Sequence, residues 1–128
     1  MSVSRAGCHV TLATFAAASL FMCSYDARAS GVVNEVKVAF VRVDKTGKGY
    51  VKFASPLTDD PAACSDAPYK DALAFDSNTV GGRSILAIVL SAQARDAGVT
   101  ARGTGTCSIF APPSSAGVED WSHGWSHR

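Results

Sequence analysis

Apolar residues alternate with period two in several stretches of this chain and recur at helical spacing in one. Residues 31–43 read GVVNEVKVAFVRV, where Val36 and Val38 alternate with Glu35 and Lys37 before the inward phase moves to Val41 and Val43. The slip near Ala39 or Phe40 predicts a bulge in a long, bent first strand. Residues 44–49 carry two glycines suited to positive φ and read as a turn, and residues 50–54 read as a second strand with Val51 and Phe53 on one face. Residues 55–69 are rich in Pro, Asp, Ser and Ala without a sustained period, which predicts a loop. A short third strand at 71–76 turns Leu73 and Phe75 inward. Ser77, Asn78 and Thr79 then offer capping side chains for a helix over about 82–97. Its apolar stripe is Ile85, Leu86, Val89, Leu90 and Ala97, with Gly98 as the left-handed residue that ends it.

Residues 99–109 alternate most cleanly. Val99, Ala101, Gly103, Gly105, Cys107 and Ile109 fall on one face, while Thr100, Arg102, Thr104, Thr106 and Ser108 form a hydroxyl-rich row on the other. The bare inner face at Gly103 and Gly105 predicts close approach of another backbone or of the helix. Residues 111–117 read as a loop and 118–121 as a last strand, followed by a flexible tail over 122–128 in which Trp-Ser-His occurs twice when Trp121 is included.

The first 29 residues have the layout of a secretory signal peptide, with Arg5, an apolar run from Val10 to Met22, and Ala27-Arg28-Ala29 before Ser30. That run is shorter than the roughly 18 residues a membrane-spanning helix needs, so no stable membrane insertion is expected. Leu20 to Cys23 is similar to a bacterial lipoprotein box, but Met22 is large where such boxes carry a small residue. The expected organisation is therefore a signal peptide over 1–29, one domain over 30–121 and the tail, with a periplasmic or secreted destination. Cleavage removes Cys8 and Cys23 and leaves Cys64 and Cys107, which an oxidising compartment would join as one disulfide.

From Ser30 onward ten Lys and Arg balance ten Asp and Glu, which predicts no nucleic-acid partner. In that part of the chain two lone cysteines, with no histidine before His123, do not fill a zinc shell. His123 and His127 lie four apart, but Gly124 and the serines disfavour the helix that would converge them, so neither a metal nor a cofactor is expected. The part read as ordered contains no histidine and no free thiol to act as base or nucleophile, and the pairs Asp59-Asp60 and Glu119-Asp120 read as solvated carboxylates. No catalytic residue is assigned. Gly103-Thr104-Gly105 sits inside a strand rather than opening a helix, which excludes a phosphate-binding glycine loop.

The order strand, strand, strand, helix, strand, strand describes a mainly β domain with one helix (α+β), a five-stranded OB-like barrel plugged by a helix between its third and fourth strands. At this level the chain resembles the B subunits of five-B-subunit bacterial toxins, particularly the subtilase-cytotoxin type. The similar elements are Ser30-Gly31-Val32-Val33, the turn and strand from Gly47 to Phe53, Ala62-Ala63-Cys64-Ser65, and the passage through Ala97-Gly98 into the next strand. Residues 69–76 (YKDALAFD) and 101–107 (ARGTGTC) also resemble a group of small secreted bacterial proteins of unknown function. The resemblance implies a non-enzymatic binding or interaction module, with a glycan or protein partner and a ring-forming homo-oligomer. Toxin subunits of that type carry a cysteine in the second strand, where this chain reads Tyr50-Val51-Lys52-Phe53. Their sialoglycan serine maps to Ser30, the expected mature N-terminus, and no other pocket residue carries over. The candidate binding surface is the outer row Thr100, Arg102, Thr104 and Thr106 with Tyr50 and Lys52. The alternative is a periplasmic structural or inhibitor-like protein with a protein partner and no small ligand.

Overall fold

The computed structural model describes residues 29–111 and 117–128. The expected signal peptide lies outside the described residues except for Ala29, as does most of the expected 111–117 loop. The described residues form five strands: β1 Val32–Val43, β2 Lys48–Phe53, β3 Ala72–Asp76, β4 Gly98–Gly103 and β5 Trp121–Ser126. Among them a helix, α1, spans Val80–Ala94, and a 3-10 turn, Ala67–Tyr69, precedes β3. The strands form one antiparallel sheet in the order β3-β2-β1-β4-β5. An isolated parallel bridge joins Ala74 of β3 to Asp120, just before β5.

β1 is long enough to pair with β2 through its second half and with β4 through its first. The expected bulge lies between Val38 and Phe40. A second irregularity, between Val33 and Val36, was not foreseen, and Glu35 there takes a left-handed φ of 55°. Val43, expected inward, is 43% exposed, since it lies in the last β1–β2 pair, opposite Gly49, whose lack of a side chain leaves it uncovered across the strand.

Val33, Val51, Phe53, Leu73, Phe75, Val99 and Ala101 meet Val89 and Ala92 of α1 in the main core, closed by Trp121. Burial of so many branched and aromatic side chains, each worth about 1.5–3 kcal/mol, drives this packing. Thr79 caps α1, its hydroxyl accepting the Gly82 N–H at 2.9 Å. Gly82 is required as glycine, since a Cβ there would collide with the Asp76 carbonyl. The helix starts at Val80 rather than Gly82 and ends at Ala94 rather than Ala97. The left-handed residue that follows it is Asp96, with φ 52°, while Gly98 opens β4. Leu90, expected in the buried stripe, is 48% exposed, and the buried position is taken by Ala92.

The fourth strand stops at Gly103 instead of running to Ile109. From Thr104 the chain leaves β4 and packs across the outer face of β2 and β3, where Tyr50, Ala72, Ala74, Phe110 and Val118 form a second buried cluster. Residues 104–111 and 117–120 thus form an arm over this face. Cys107 in the arm is bonded to Cys64, with a sequence separation of 43. The last strand, expected at 118–121, is Trp121–Ser126, so most of the stretch read as a flexible tail pairs with β4.

Candidate functional site

The outer face of β2 and β3 determines where a site forms. Alternation puts Val51 and Phe53 into the main core, so Tyr50 and Lys52 must project from the opposite face. Tyr50 is covered there by three aromatic rings, Phe40, Tyr69 and Phe110, at centroid distances of 6.0, 5.4 and 5.2 Å. Arg42 lies opposite Tyr50 in the β1–β2 register. Its guanidinium sits 6.0 Å from the Tyr50 ring centroid and 5.8 Å from that of Phe110.

Beside this cluster a cleft of about 350 Å³ opens between the β1–β2 hairpin and the arm. Arg42, Asp44 and Lys48 line it from the hairpin, Tyr69 from the 3-10 turn, and Ile109, Phe110 and Ala111 from the arm. Asp44 is fixed within the turn: its Oδ1 accepts from the Thr46 N–H at 2.7 Å, the Thr46 hydroxyl at 2.6 Å and the Lys48 N–H at 3.2 Å. The Thr46 hydroxyl, joined by the two backbone N–H groups and the charge of Arg42, holds the Asp44 carboxyl below the usual range and outweighs the opposing desolvation. The cleft therefore combines two cations, one ionised acceptor and an aromatic wall.

Two buried carboxylates hold the arm in place. Glu119 is fully buried and accepts four contacts from three backbone N–H groups: Gly31 at 3.0 and 3.1 Å, Ala62 at 2.9 Å and Gly105 at 3.0 Å. Asp120 accepts from the N–H groups of Ser108 and Ile109 and from the hydroxyls of Thr106 and Ser108. These side chains, read from sequence as solvated, satisfy the backbone of a segment that belongs to no strand. The bare inner face at Gly103 is explained by the same group, because a Cβ there would overlap the Glu119 carboxylate rather than a backbone or the helix.

The six residues of the expected surface lie in three places. Tyr50 is buried under the arm. Lys52 pairs with Asp71 at 3.4 Å and donates to the Pro68 carbonyl, bordering a smaller cleft of about 250 Å³. Thr100 is 9% exposed, whereas Arg102 is exposed and donates to the Ser30 hydroxyl at 3.1 Å. Thr104 and Thr106 lie beyond the strand, their hydroxyls 2.7 Å apart in the arm. Arg42, Tyr69 and Phe110 were not singled out from sequence; the outward phase of Arg42 and the position of Phe110 just before Pro112-Pro113 were the signals available.

His127 follows β5 and is held in the fold, which removes the premise that the ordered region lacks histidine. Its Nδ1 is 3.1 Å from Glu35 and its Nε2 is 2.8 Å from the Thr100 hydroxyl, an arrangement of hydroxyl, imidazole and carboxylate in line. The Thr100 hydroxyl also accepts the Glu35 N–H and contacts Asn34 Oδ1, both at 3.1 Å. None of these residues lines the three clefts described, the third of which, about 320 Å³, lies between Phe75, Ile85 and Trp121. The cluster tethers the end of β5 to β1 and β4. Among the described residues no group of three or more His, Cys, Asp or Glu is arranged to hold a metal ion, and no helix is long and apolar enough to cross a membrane. Comparison with protein-family models, curated proteins and solved structures gives no match to the chain.

Proposed function

We propose that this protein is an exported, non-enzymatic binding module built on an OB-like barrel, and that the cleft beside Arg42 receives a glycan. The observation that carries this reading is the cleft itself, where polar groups meet a wall of Tyr69 and Phe110 in a pocket of small-ligand size. Sugar recognition draws on this pairing, with ring C–H groups against an aromatic face and hydroxyls on charged acceptors and donors. The barrel reading is supported by the pairing of β1 with both β2 and β4, by the helix between the third and fourth strands, and by the parallel Ala74–Asp120 bridge between the sheet edges. Export is supported by the Cys64–Cys107 disulfide, a bond favoured in oxidising compartments.

Glycan-array binding by the wild type, with at least tenfold loss in Phe110→Ala and little change in Arg102→Ala, is the expected result. A wild type that binds no glycan would remove the reading. A second reading, a protein partner without a small ligand, is favoured by β5. It is an edge strand without Lys or Pro, and it exposes Trp125 at 52%. Light scattering separates self-association in a ring from a monomer that awaits a different partner.

A further inference from the structure

β5 keeps one edge open. β3 and the start of β5 run side by side at the parallel Ala74–Asp120 bridge, but β3 ends at Asp76 while β5 continues to Ser126. β4 pairs with one edge of β5, and among the described residues no further strand follows it in the sheet. The His127 N–H donates to the Gly98 carbonyl at 2.8 Å. Antiparallel alternation therefore turns the Trp125 N–H toward β4 and the N–H and C=O groups of Gly124 and Ser126 away from it. Helix α1 runs beside this open edge. At one end Gly81, Gly82 and Ile85 share the cleft of about 320 Å³ with Phe75, Trp121 and Ser122, and at the other Arg95 donates to the Ser126 hydroxyl at 3.1 Å. Helical spacing puts Ile88 on the face that carries Ile85 and Arg95, and Ile88 is half-buried without belonging to the main core. The groove thus has a backbone edge on one side and Ile85 and Ile88 on the other.

The rim of the groove is basic. α1 contains Arg83 and no acidic residue, and β5 contains no acidic residue either. Arg83 donates to the Asn78 carbonyl and Arg95 to the Ser91 carbonyl, and neither has a carboxylate partner among the described residues. The carboxylates nearby are engaged. Asp76, at the cleft, has Oδ1 occupied by the backbone and side-chain N–H groups of Asn78, Asp96 pairs with Lys37, and Glu35 pairs with His127. We propose that this groove takes an extended segment of a partner protein as a further strand on β5. Its alternate apolar side chains lie against Ile85, Ile88 and Trp121, and its acidic ones face Arg83 and Arg95. An extended segment fits better than a globular surface, because the groups left open on β5 are a strand's donors and acceptors in one row. This assignment is separate from the cleft beside Arg42; it rests on the second reading, a protein partner, and adds that partner's conformation and charge.

The test is calorimetric titration of the full-length protein with an end-blocked hexapeptide of alternating glutamate and isoleucine. Its controls are a lysine-for-glutamate form and the two forms N-methylated at alternate amides, each of which lacks the donors of one edge. The glutamate peptide should bind at least tenfold more tightly than the lysine form, weaken as salt is raised, and slow hydrogen exchange at Gly124 and Ser126. One N-methylated form should lose at least tenfold while the other binds like the parent. Ser126→Pro removes an outward N–H without touching the β4 ladder and should weaken binding at least tenfold. Arg83→Glu combined with Arg95→Glu should reverse the charge preference, with near-UV circular dichroism showing that both variants keep the packed core. Equal behaviour of the two N-methylated forms would overturn strand addition. Equal binding of the glutamate and lysine peptides would overturn the acidic charge while leaving the protein-partner reading in place. Binding of neither would overturn the assignment, whereas the glycan array scores the cleft beside Arg42 separately. A dimer in which Gly124 and Ser126 are protected without peptide would put a second copy in the groove and overturn the partner assignment.

Discussion

β2 and β3 contribute to two cores that are built on different principles. On the helix side, Val51, Phe53, Leu73 and Phe75 pack against α1 through apolar contact alone. On the arm side, Tyr50, Ala72 and Ala74 meet Phe110 and Val118, a smaller apolar cluster. That cluster is accompanied by a disulfide and by the amide-capped carboxylates Glu119 and Asp120. The arm has only isolated bridges, with backbone bonds such as Asp120 N–H to the Thr106 carbonyl and Val118 N–H to the Phe110 carbonyl, so side chains satisfy several of the polar groups that a full ladder would. The lesson is that one sheet can be covered on one face by hydrophobic pattern and on the other by a segment whose position is fixed by specific bonds as well as by burial, and that the cleft arises at the edge of the second.

The sharpest way to separate the two is to cut each at its centre. Phe75→Ala should lose about 3–5 kcal/mol, measured by chemical denaturation, and should lower every spectroscopic probe together. Cys107→Ser should lose up to about 4 kcal/mol, the chain-entropy ceiling for a loop of this length, under oxidising conditions and nothing further under reducing ones. No loss in oxidising buffer would mean that the arm is not held by its disulfide.

Glu119→Ala strands the buried N–H groups of Gly31, Ala62 and Gly105 and should cost about 3 kcal/mol. Glu119→Gln should recover only a fraction, because its NH₂ faces donors. A variant as stable as the wild type would show that the carboxylate is dispensable to the arm. In both the Cys107 and Glu119 variants, native-state hydrogen exchange should rise first at residues 105–110, with β1 and β2 amides still protected; uniform exchange would dissolve the distinction between the cores.

Thr79→Ala, remote from the arm, should cost about 1 kcal/mol through loss of the α1 cap and leave exchange in the arm unchanged. The smallest effect concerns Asp44. Its carboxyl is lowered in the folded state, so its contribution is present above the ordinary carboxylate range and disappears as pH falls through the folded value. Asp44→Asn should therefore differ from the wild type at neutral pH and converge with it in strong acid, as followed by thermal melts.

The helix-side core was legible in the sequence because period two and branched residues mark it directly: Val51 with Phe53, Leu73 with Phe75, and the bulge before Phe40 all follow from phase. The arm was not. Alternation from Val99 to Ile109 continues past the point where pairing stops, since nothing in a run of Thr and Gly marks the departure from the sheet. Glu119 and Asp120 read as solvated because carboxylates usually are, and the amides that make burial tolerable for Glu119 come from positions as far as 88 residues away. β5 reads WSHGWS, weak in strand formers, and is a strand because β4 supplies its ladder. The cleft inherits these gaps: Arg42 lies on a legible strand, but Phe110, which lines the cleft beside it, is delivered by the arm.

The most direct test is amide-resolved NMR of the protein titrated with a sugar bound on the glycan array. The account predicts shifts concentrated at Arg42, Lys48, Tyr69 and the 109–111 segment of the arm, and their loss in Phe110→Ala. Shifts centred instead on Thr100 and Arg102, or none at millimolar sugar, would contradict it.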